Sequence, residues 1–321
     1  MRSMFTVLSL IGGFMFLAMG AFALIRGTAG FAQLAGVPLF LISLVVVGFG
    51  TSTPQLFTAM QATFSGGGVE MALATAIGAS IFNIFATLGV VALGGGAVRL
   101  DNRLWTRGSV ALMLIAFACA AAMVVFSGSQ MPRWVGALAI LLLAAYTTAA
   151  YYYERNHPTH LPMLKDIRKL PPAILACVFA AGLFGLVLGA NLMVDAATQL
   201  SQTYTLNPRF LGLTVLAVGT ALPQLVGAFT AYGDKQQHSL ILNNLVGNTI
   251  FNMLGIGGML TLLNPIQVQP GLIFNSVIIL AAATLAFTIF THPSMRRFKR
   301  AEAILFLLSY LLYIGYLVHS L

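Results

Sequence analysis

The chain has 321 residues, of which 59% are hydrophobic and only 7% charged, whereas soluble domains carry about 25% charged residues. That composition excludes a soluble globular protein and makes the lipid bilayer the main partner. The formal net charge of +9 does not mark a nucleic-acid binder, because the 16 basic residues sit in short loops between apolar spans and form no stripe with interleaved aromatics.

Apolar stretches near the roughly 20 residues an upright helix needs to cross hydrocarbon recur along the whole length. Ten spans are predicted, at 4–25, 36–63, 69–96, 108–127, 133–153, 171–197, 208–232, 238–263, 270–291 and 302–319. The first could be read as a secretory signal, since Arg2 precedes an apolar run ending in Ala21-Phe22-Ala23, but the internal repeat described below takes it as a helix. Cys119 and Cys177 fall inside apolar spans without a second pair or a CxxC, so they are expected to be core packing.

Thirteen of the basic residues fall in the loops after the first, third, fifth, seventh and ninth spans, including Arg99, Arg103 and Arg107, and Arg296, Arg297, Lys299 and Arg300. The other side holds Arg2, Arg133 and Arg209. One missed or invented span would scramble this alternation. The positive-inside rule then places the basic loops in the cytoplasm and both termini outside, in a plasma (inner) membrane.

The second and seventh spans share a motif. Val47-Gly48-Phe49-Gly50-Thr51-Ser52-Thr53-Pro54-Gln55-Leu56 returns as Leu216-Ala217-Val218-Gly219-Thr220-Ala221-Leu222-Pro223-Gln224-Leu225, and on the following spans Ile81-Phe82-Asn83 returns as Ile250-Phe251-Asn252. Both pairs stand 169 residues apart. A common offset marks a duplicated unit, and five spans per unit is an odd number, so the second copy enters the membrane from the opposite side. The predicted architecture is an all-α integral membrane protein of two inverted five-helix repeats, 1–153 and 171–321, joined by a cytoplasmic loop at 154–170. Inverted repeats are a transporter architecture with substrate bound near the midplane.

Proline removes an amide donor and clashes with the preceding turn, and hydroxyl residues just before it can cap a restarting helix. Spans two and seven are therefore predicted to be broken at mid-membrane, with the freed backbone groups answered by protein, water or ion. Thr51, Ser52 and Gln55 on span two and Thr220 and Gln224 on span seven follow helical spacing. Thr75 and Asn83 share a face of span three, and Asn244, Asn248 and Asn252 recur every four residues on span eight. Thr51, Ser52, Gln55, Asn83, Thr220, Gln224, Asn248 and Asn252 are the candidate cation ligands, with Gln55, Asn83, Gln224 and Asn252 at the centre. Asn244 reads instead as a hydrogen bond between helices.

At these residues the chain resembles the calcium/cation antiporter superfamily, the cation exchangers of the sodium/calcium exchanger type. Its members carry a motif close to Gly-Thr-Ser-Leu-Pro-Glu in each half and one close to Gly-Ser-Asn-Ile-x-Asn on the next helix. The resemblance implies alternating-access cation antiport, with the motif glutamates at the centre of the ion site. Here both positions are glutamine, Gln55 and Gln224. Ser80 and Thr249 stand where relatives usually have asparagine, and Ala79 and Asn248 where they usually have a small residue such as serine.

The expected site therefore has no formal charge. Burying a monovalent ion at low dielectric costs of order 20 kcal/mol in the Born limit, and a divalent ion about four times that. Calcium sites answer with carboxylates among six to eight oxygens, whereas neutral carbonyls suffice for a monovalent ion in potassium filters. Asp195, late in span six, is expected at the outer interface, and the other acids map to span ends and loops. No cofactor is expected, and the transported ions would be sodium with another cation, calcium being the poorer fit. Two alternatives stay open: transport of an uncharged or anionic solute, and a transport-inactive sensor or scaffold. An enzyme is not expected, since the chain shows no paired aspartates, no HExxH and no serine motif of protease type.

Tags at both termini are expected to be reachable from outside intact cells, and cysteines placed in the 154–170 loop to be protected from an impermeant thiol reagent. A terminus on the cytoplasmic side would overturn the span count.

Overall fold

The computed structural model describes residues 2–35, 50–64, 68–95, 108–156, 171–230, 235–292 and 300–321, and almost all of them are helical. In chain order the helices are α1 (Arg2–Leu34), α2 (Thr53–Phe64), α3 (Gly68–Phe82, continued through a π-helical turn at Asn83–Thr87 into Leu88–Gly95), α4 (Val110–Val125) and α5 (Arg133–Asn156). Then come α6 (Pro172–Tyr204), α7 (Pro208–Leu211, a π-helical turn at Gly212–Leu216, then Ala217–Thr230), α8 (Lys235–Ile250, a π-helical turn at Phe251–Ile256, then Gly257–Leu263), α9 (Leu272–Phe290) and α10 (Arg300–His319). Among the described residues, seven helices are long and apolar enough to cross a membrane. The chain is an all-helical, multi-pass membrane protein.

Some expectations fall outside the described residues: the first half of the second predicted span with Gly48, the loops bearing Arg99 and Arg296, and the joint from 157 to 170.

Helices in lipid gain little from apolar burial against one another, so small residues that let backbones approach decide which ones pair. α1 and α6 show this best, lying antiparallel along a glycine seam. A side chain added at Gly20 would stand 2.7 Å from the Leu186 nitrogen and 2.9 Å from the Gly182 oxygen. One added at Gly189 would stand 2.6 Å from the Leu17 nitrogen and 2.8 Å from the Gly13 oxygen. Gly189 is 169 residues after Gly20, and Leu17 and Gly13 are 169 before Leu186 and Gly182. The contacts are thus reciprocal, and the two ends of the seam are copies of one another. The first apolar run, which could be mistaken for a signal, is one side of this seam.

α3 lies at the centre, buried along most of its length, and meets α7 through another pair of small residues. Gly78 lies against the Leu213 oxygen and Ala217, and Gly212 against the Met71 oxygen and Ala74. The N-terminal ends of the two helices are tied by an ion pair in which Arg209 Nε and Nη2 donate to Glu70 Oε2 and Oε1, both at 2.7 Å. A short antiparallel pairing of Gln130–Met131 with Ile266–Gln267 joins the α4–α5 and α8–α9 connections. Both contacts link segments that the span count puts on the outer side. Outward-facing positions such as Leu138, Leu141 and Leu142 on α5 and Leu308, Leu311 and Leu312 on α10 are exposed, as helices facing lipid require.

One expectation fails. α7 is not broken at Pro223, which lies inside the helix Ala217–Thr230. The wide turn at Gly212–Leu216 precedes it, and local π-helical adjustment together with packing from neighbours is a known way to accommodate proline inside a membrane helix. Gly219, whose carbonyl would have bonded the amide that proline lacks, is covered by the ring of Phe14 on α1. α2 behaves differently. Thr51 and Ser52 form a turn and a helix resumes at Thr53. The cysteines also differ from expectation in part, since Cys119 is half-buried and Cys177 is exposed on α6.

Gly20→Val and Gly189→Val should each lower the thermal unfolding midpoint of the detergent-solubilised protein, at a cost of about 1–3 kcal/mol. The two losses should be similar, because the backbone atoms they meet are equivalent. Gly315→Val, with no heavy atom within 4 Å of its added carbon, should change little. Unperturbed melting of Gly20→Val would show that α1 and α6 do not approach this closely.

Candidate functional site

The turn at Thr51-Ser52 sets the geometry of α2. Pro54 falls in the first turn of the new helix, where its missing amide hydrogen has no intrahelical partner to lose. The Leu56 amide donates to the Ser52 carbonyl at 3.0 Å, closing that turn. Ser52, Gln55 and Thr58 then recur every three residues on one buried face, all without solvent exposure. Among the described residues, Ser52 Oγ, both amide atoms of Gln55 and Thr58 Oγ1 have no hydrogen-bond partner.

α7 presents Thr220 and Gln224. The Thr220 hydroxyl donates back to its own helix, to the Leu216 and Ala217 carbonyls. Gln224 Nε2 reaches across and donates to the Thr51 carbonyl at 2.7 Å, leaving Oε1 unpartnered. Thr51 Oγ1 in turn donates to Asn244 Oδ1 on α8 at 2.8 Å, the interhelical role expected of Asn244.

One helical turn further along α8, Asn248 Oδ1 accepts from Asn83 Nδ2 at 2.9 Å and from Asn252 Nδ2 at 3.2 Å. Asn252 Nδ2 also donates to Ser80 Oγ at 3.3 Å. Among the described residues, the Oδ1 atoms of Asn83 and Asn252 and the Nδ2 of Asn248 have no partner. Five of the eight sequence-predicted residues, Thr51, Gln224, Asn83, Asn248 and Asn252, thus take part in hydrogen bonds that link α3, α7, α8 and the turn before α2, whereas Ser52, Gln55 and Thr220 are buried without a bond to that network.

The π-helical turns bear on this arrangement. In α3 the turn begins at Asn83, and in α8 it begins one residue before Asn252. An extra residue in a helical turn re-aims the side chains around it, and such turns recur at functional sites. Thr58 went unnoticed in the sequence, although its spacing of three from Gln55 would have found it. The Glu70 to Arg209 pairing had no local signal, since it joins residues far apart in the chain.

Elsewhere the structure offers less to an ion. A cavity of about 90 Å³ lies among α3, α4, α5, α8 and α9, lined by Leu73, Met123, Val277 and other apolar groups, and it touches the polar residues at Asn252, with Thr261 its other polar member. Among the described residues, no group of three or more His, Cys, Asp or Glu side chains could hold a metal. Asp195 is exposed on α6.

Comparison with known proteins places these features. The sodium/calcium exchanger protein family matches residues 5–152 and 174–319. The putative antiporter CaxA of Alkalimonas amylolytica is 25% identical, the match covering 96% of this chain and 97% of that one. The inner membrane protein YrbG of Escherichia coli is 28% identical over 81% of each chain, and the sodium/calcium exchanger MaX1 of Methanosarcina acetivorans is 25% identical over 97% of this chain and 98% of its own. The solved structure of the sodium-calcium exchanger NCX_Mj superposes with a TM-score of 0.67 at 23% identity, covering 97% of this chain and 98% of that one. The chain belongs to the sodium/calcium exchanger family.

Proposed function

We propose that this antiporter-type membrane protein exchanges cations by alternating access through a neutral central site that favours a monovalent ion over calcium. Ten spans in two inverted repeats form the frame. The reciprocal glycine seam between α1 and α6 supports that frame, as do the two matched segments lying on either side of the joint.

The carrying observation is the set of unpartnered carbonyl oxygens. Gln55 Oε1, Gln224 Oε1, Asn83 Oδ1 and Asn252 Oδ1 are two repeat-related pairs, all buried and all without a hydrogen bond among the described residues. Leaving one buried acceptor unsatisfied costs about 1–3 kcal/mol, and a membrane interior offers no water to offset it. A cation held among these oxygens, with the free hydroxyls of Ser52 and Thr58 beside them, answers that cost. Thr51 and Thr220 act at one remove, Thr51 through the carbonyl that anchors Gln224 and Thr220 by bonding its own backbone.

Charge then selects among cations. With glutamine at 55 and 224, nothing in the ligand set compensates the second charge of calcium. A second reading has its own observation: Gln55 Nε2 and Asn248 Nδ2 are buried donors without partners among the described residues, which would suit an uncharged or anionic solute carrying an acceptor.

Isotopic flux into proteoliposomes under imposed gradients separates these readings. Saturable sodium movement exchanging against potassium, lithium or protons is expected, with calcium a weak competitor. No cation-dependent flux would leave the solute reading, and no flux of any tested solute would leave a scaffold.

Sodium binding should also change little between about pH 5 and pH 8, because amides and hydroxyls do not titrate there. A steep dependence that survives replacement of His157 and His160 would place a titrating group in the site and overturn its neutrality.

The double change Gln55→Glu with Gln224→Glu restores two negative charges among the oxygens. Calcium affinity should rise by about tenfold or more, by more than the two single changes add up to. The new carboxylates should repel, raising at least one pKa and making binding pH-dependent. A folded double variant with neither calcium affinity nor proton competition would show that the two glutamines do not share an ion site.

A further inference from the structure

We propose that Asn248 is a positioning residue, which orients the carbonyl oxygens of Asn83 and Asn252 toward the ion without binding it. The inference rests on the central pocket being the cation site.

An amide side chain is ambiguous: its oxygen ligates a cation and its nitrogen repels one, and half a turn about its last bond exchanges them. A site built from amides in place of carboxylates must therefore hold each amide the right way round. Asn248 does this for two amides at once. Its side chain is fully buried, and its Oδ1 accepts from Asn83 Nδ2 at 2.9 Å and from Asn252 Nδ2 at 3.2 Å. An amide oxygen has two lone pairs, so both are used and none is left for an ion. Each bonded amide is planar, so fixing its nitrogen against Asn248 turns its oxygen away. Those two oxygens, Asn83 Oδ1 and Asn252 Oδ1, have no partner among the described residues.

The two halves are unequal at this point. The residue 169 before Asn248 is Ala79, which has no polar side chain. One orienting carbonyl suffices, because Asn83 on α3 and Asn252 on α8 both reach it. Ser80 Oγ, by accepting from Asn252 Nδ2 at 3.3 Å and donating to the Ala76 carbonyl at 2.8 Å, adds a second hold on Asn252. The cost is the unpartnered Asn248 Nδ2, a buried donor that a purely structural asparagine would be expected to satisfy.

The test compares sodium binding by full-length protein in detergent for Asn248→Ala in two backgrounds. In the otherwise unaltered chain, Asn248→Ala should weaken sodium binding by about tenfold, since two ligands lose their fixed orientation. In a chain carrying Asn83→Asp and Asn252→Asp, both side-chain ends are oxygens and orientation no longer matters. There Asn248→Ala should change sodium affinity by less than about twofold. Asn275→Ala, which removes a distant bond to the Tyr316 hydroxyl, serves as the stability control and should lower the melting temperature without changing affinity. Equal or tighter binding by Asn248→Ala in the unaltered chain overturns the inference, as does an undiminished loss in the aspartate background, which would make Asn248 a direct ligand. If Asn248→Ala does not fold in the unaltered chain, the aspartate pair still decides. Absence of sodium binding in the unaltered protein itself would remove the cation site and this inference with it.

Discussion

Hydrocarbon gives a polar atom nothing to bond with, so each amide and hydroxyl buried at mid-membrane must find its partner in protein, water or ion. In this chain the donors have mostly done so within the protein. Gln224 and Asn83 spend their amide nitrogen on another segment, and Asn252 divides its own between Asn248 on the same helix and Ser80 on α3. What remains is an excess of acceptors, the amide oxygens of Gln55, Gln224, Asn83 and Asn252 against the donors Gln55 Nε2 and Asn248 Nδ2, and that excess is what the proposed cation site rests on. The same bonds hold α3, α7, α8 and the turn before α2 together, so the scaffold and the ligand set are made by the two ends of the same side chains.

That economy explains how a site without carboxylates can be specific. A carboxylate presents oxygen whichever way it turns, and its charge alone draws a cation. An amide needs its orientation fixed, so replacing glutamate by glutamine at 55 and 224 shifts the burden from charge to hydrogen bonding. Glutamine 224 meets it through the Thr51 carbonyl, which is itself available because the chain turns at Thr51-Ser52. Gln55 has no such hold. The two glutamines are thus equivalent in sequence but not in restraint, since Gln55 has neither amide atom bonded among the described residues.

Much of this was legible in the residues. Hydrophobic length is a local property, and α3, α4, α5, α7, α8, α9 and α10 fall close to the predicted boundaries, whereas α1 and α6 run past theirs to Leu34 and Tyr204, which puts Arg26 inside a helix and not in a loop. Candidate site residues could be named because a motif that recurs at a fixed offset announces itself. What the residues hid was conformation that depends on neighbours. Pro223 reads as a break, yet α7 runs through it, because the penalty of proline is local whereas the π-helical turn before it and the packing of Phe14 on Gly219 are set by the assembled bundle. The π-helical turns at Asn83 and Asn252 leave no pattern in composition. Nor does sequence distance hint that Glu70 and Arg209 meet, since an ion pair across helices follows from the packing of α3 on α7.

The departures from symmetry carry as much meaning as the symmetry itself. A duplicated unit supplies the two halves with the same helices, and at the α1–α6 seam the copies have stayed equivalent down to which backbone atoms touch. At the centre the sequence differs between the halves: Ser52 corresponds to Ala221, and Ala79 to Asn248, at the 169-residue offset. Packing between helices penalises change on both sides at once, so seam glycines are held in register. A central pocket serves one ion, and one ion needs only a fixed number of oxygens, whichever half supplies them. The free hydroxyls of Ser52 and Thr58 therefore enrich the α2 side in ligands, while the orienting amide of Asn248 sits on the α8 side. An exchange cycle that alternates access between the two faces of the membrane would then meet a different polar surface at each, giving the two directions of loading unequal affinity from one shared set of glutamines and asparagines.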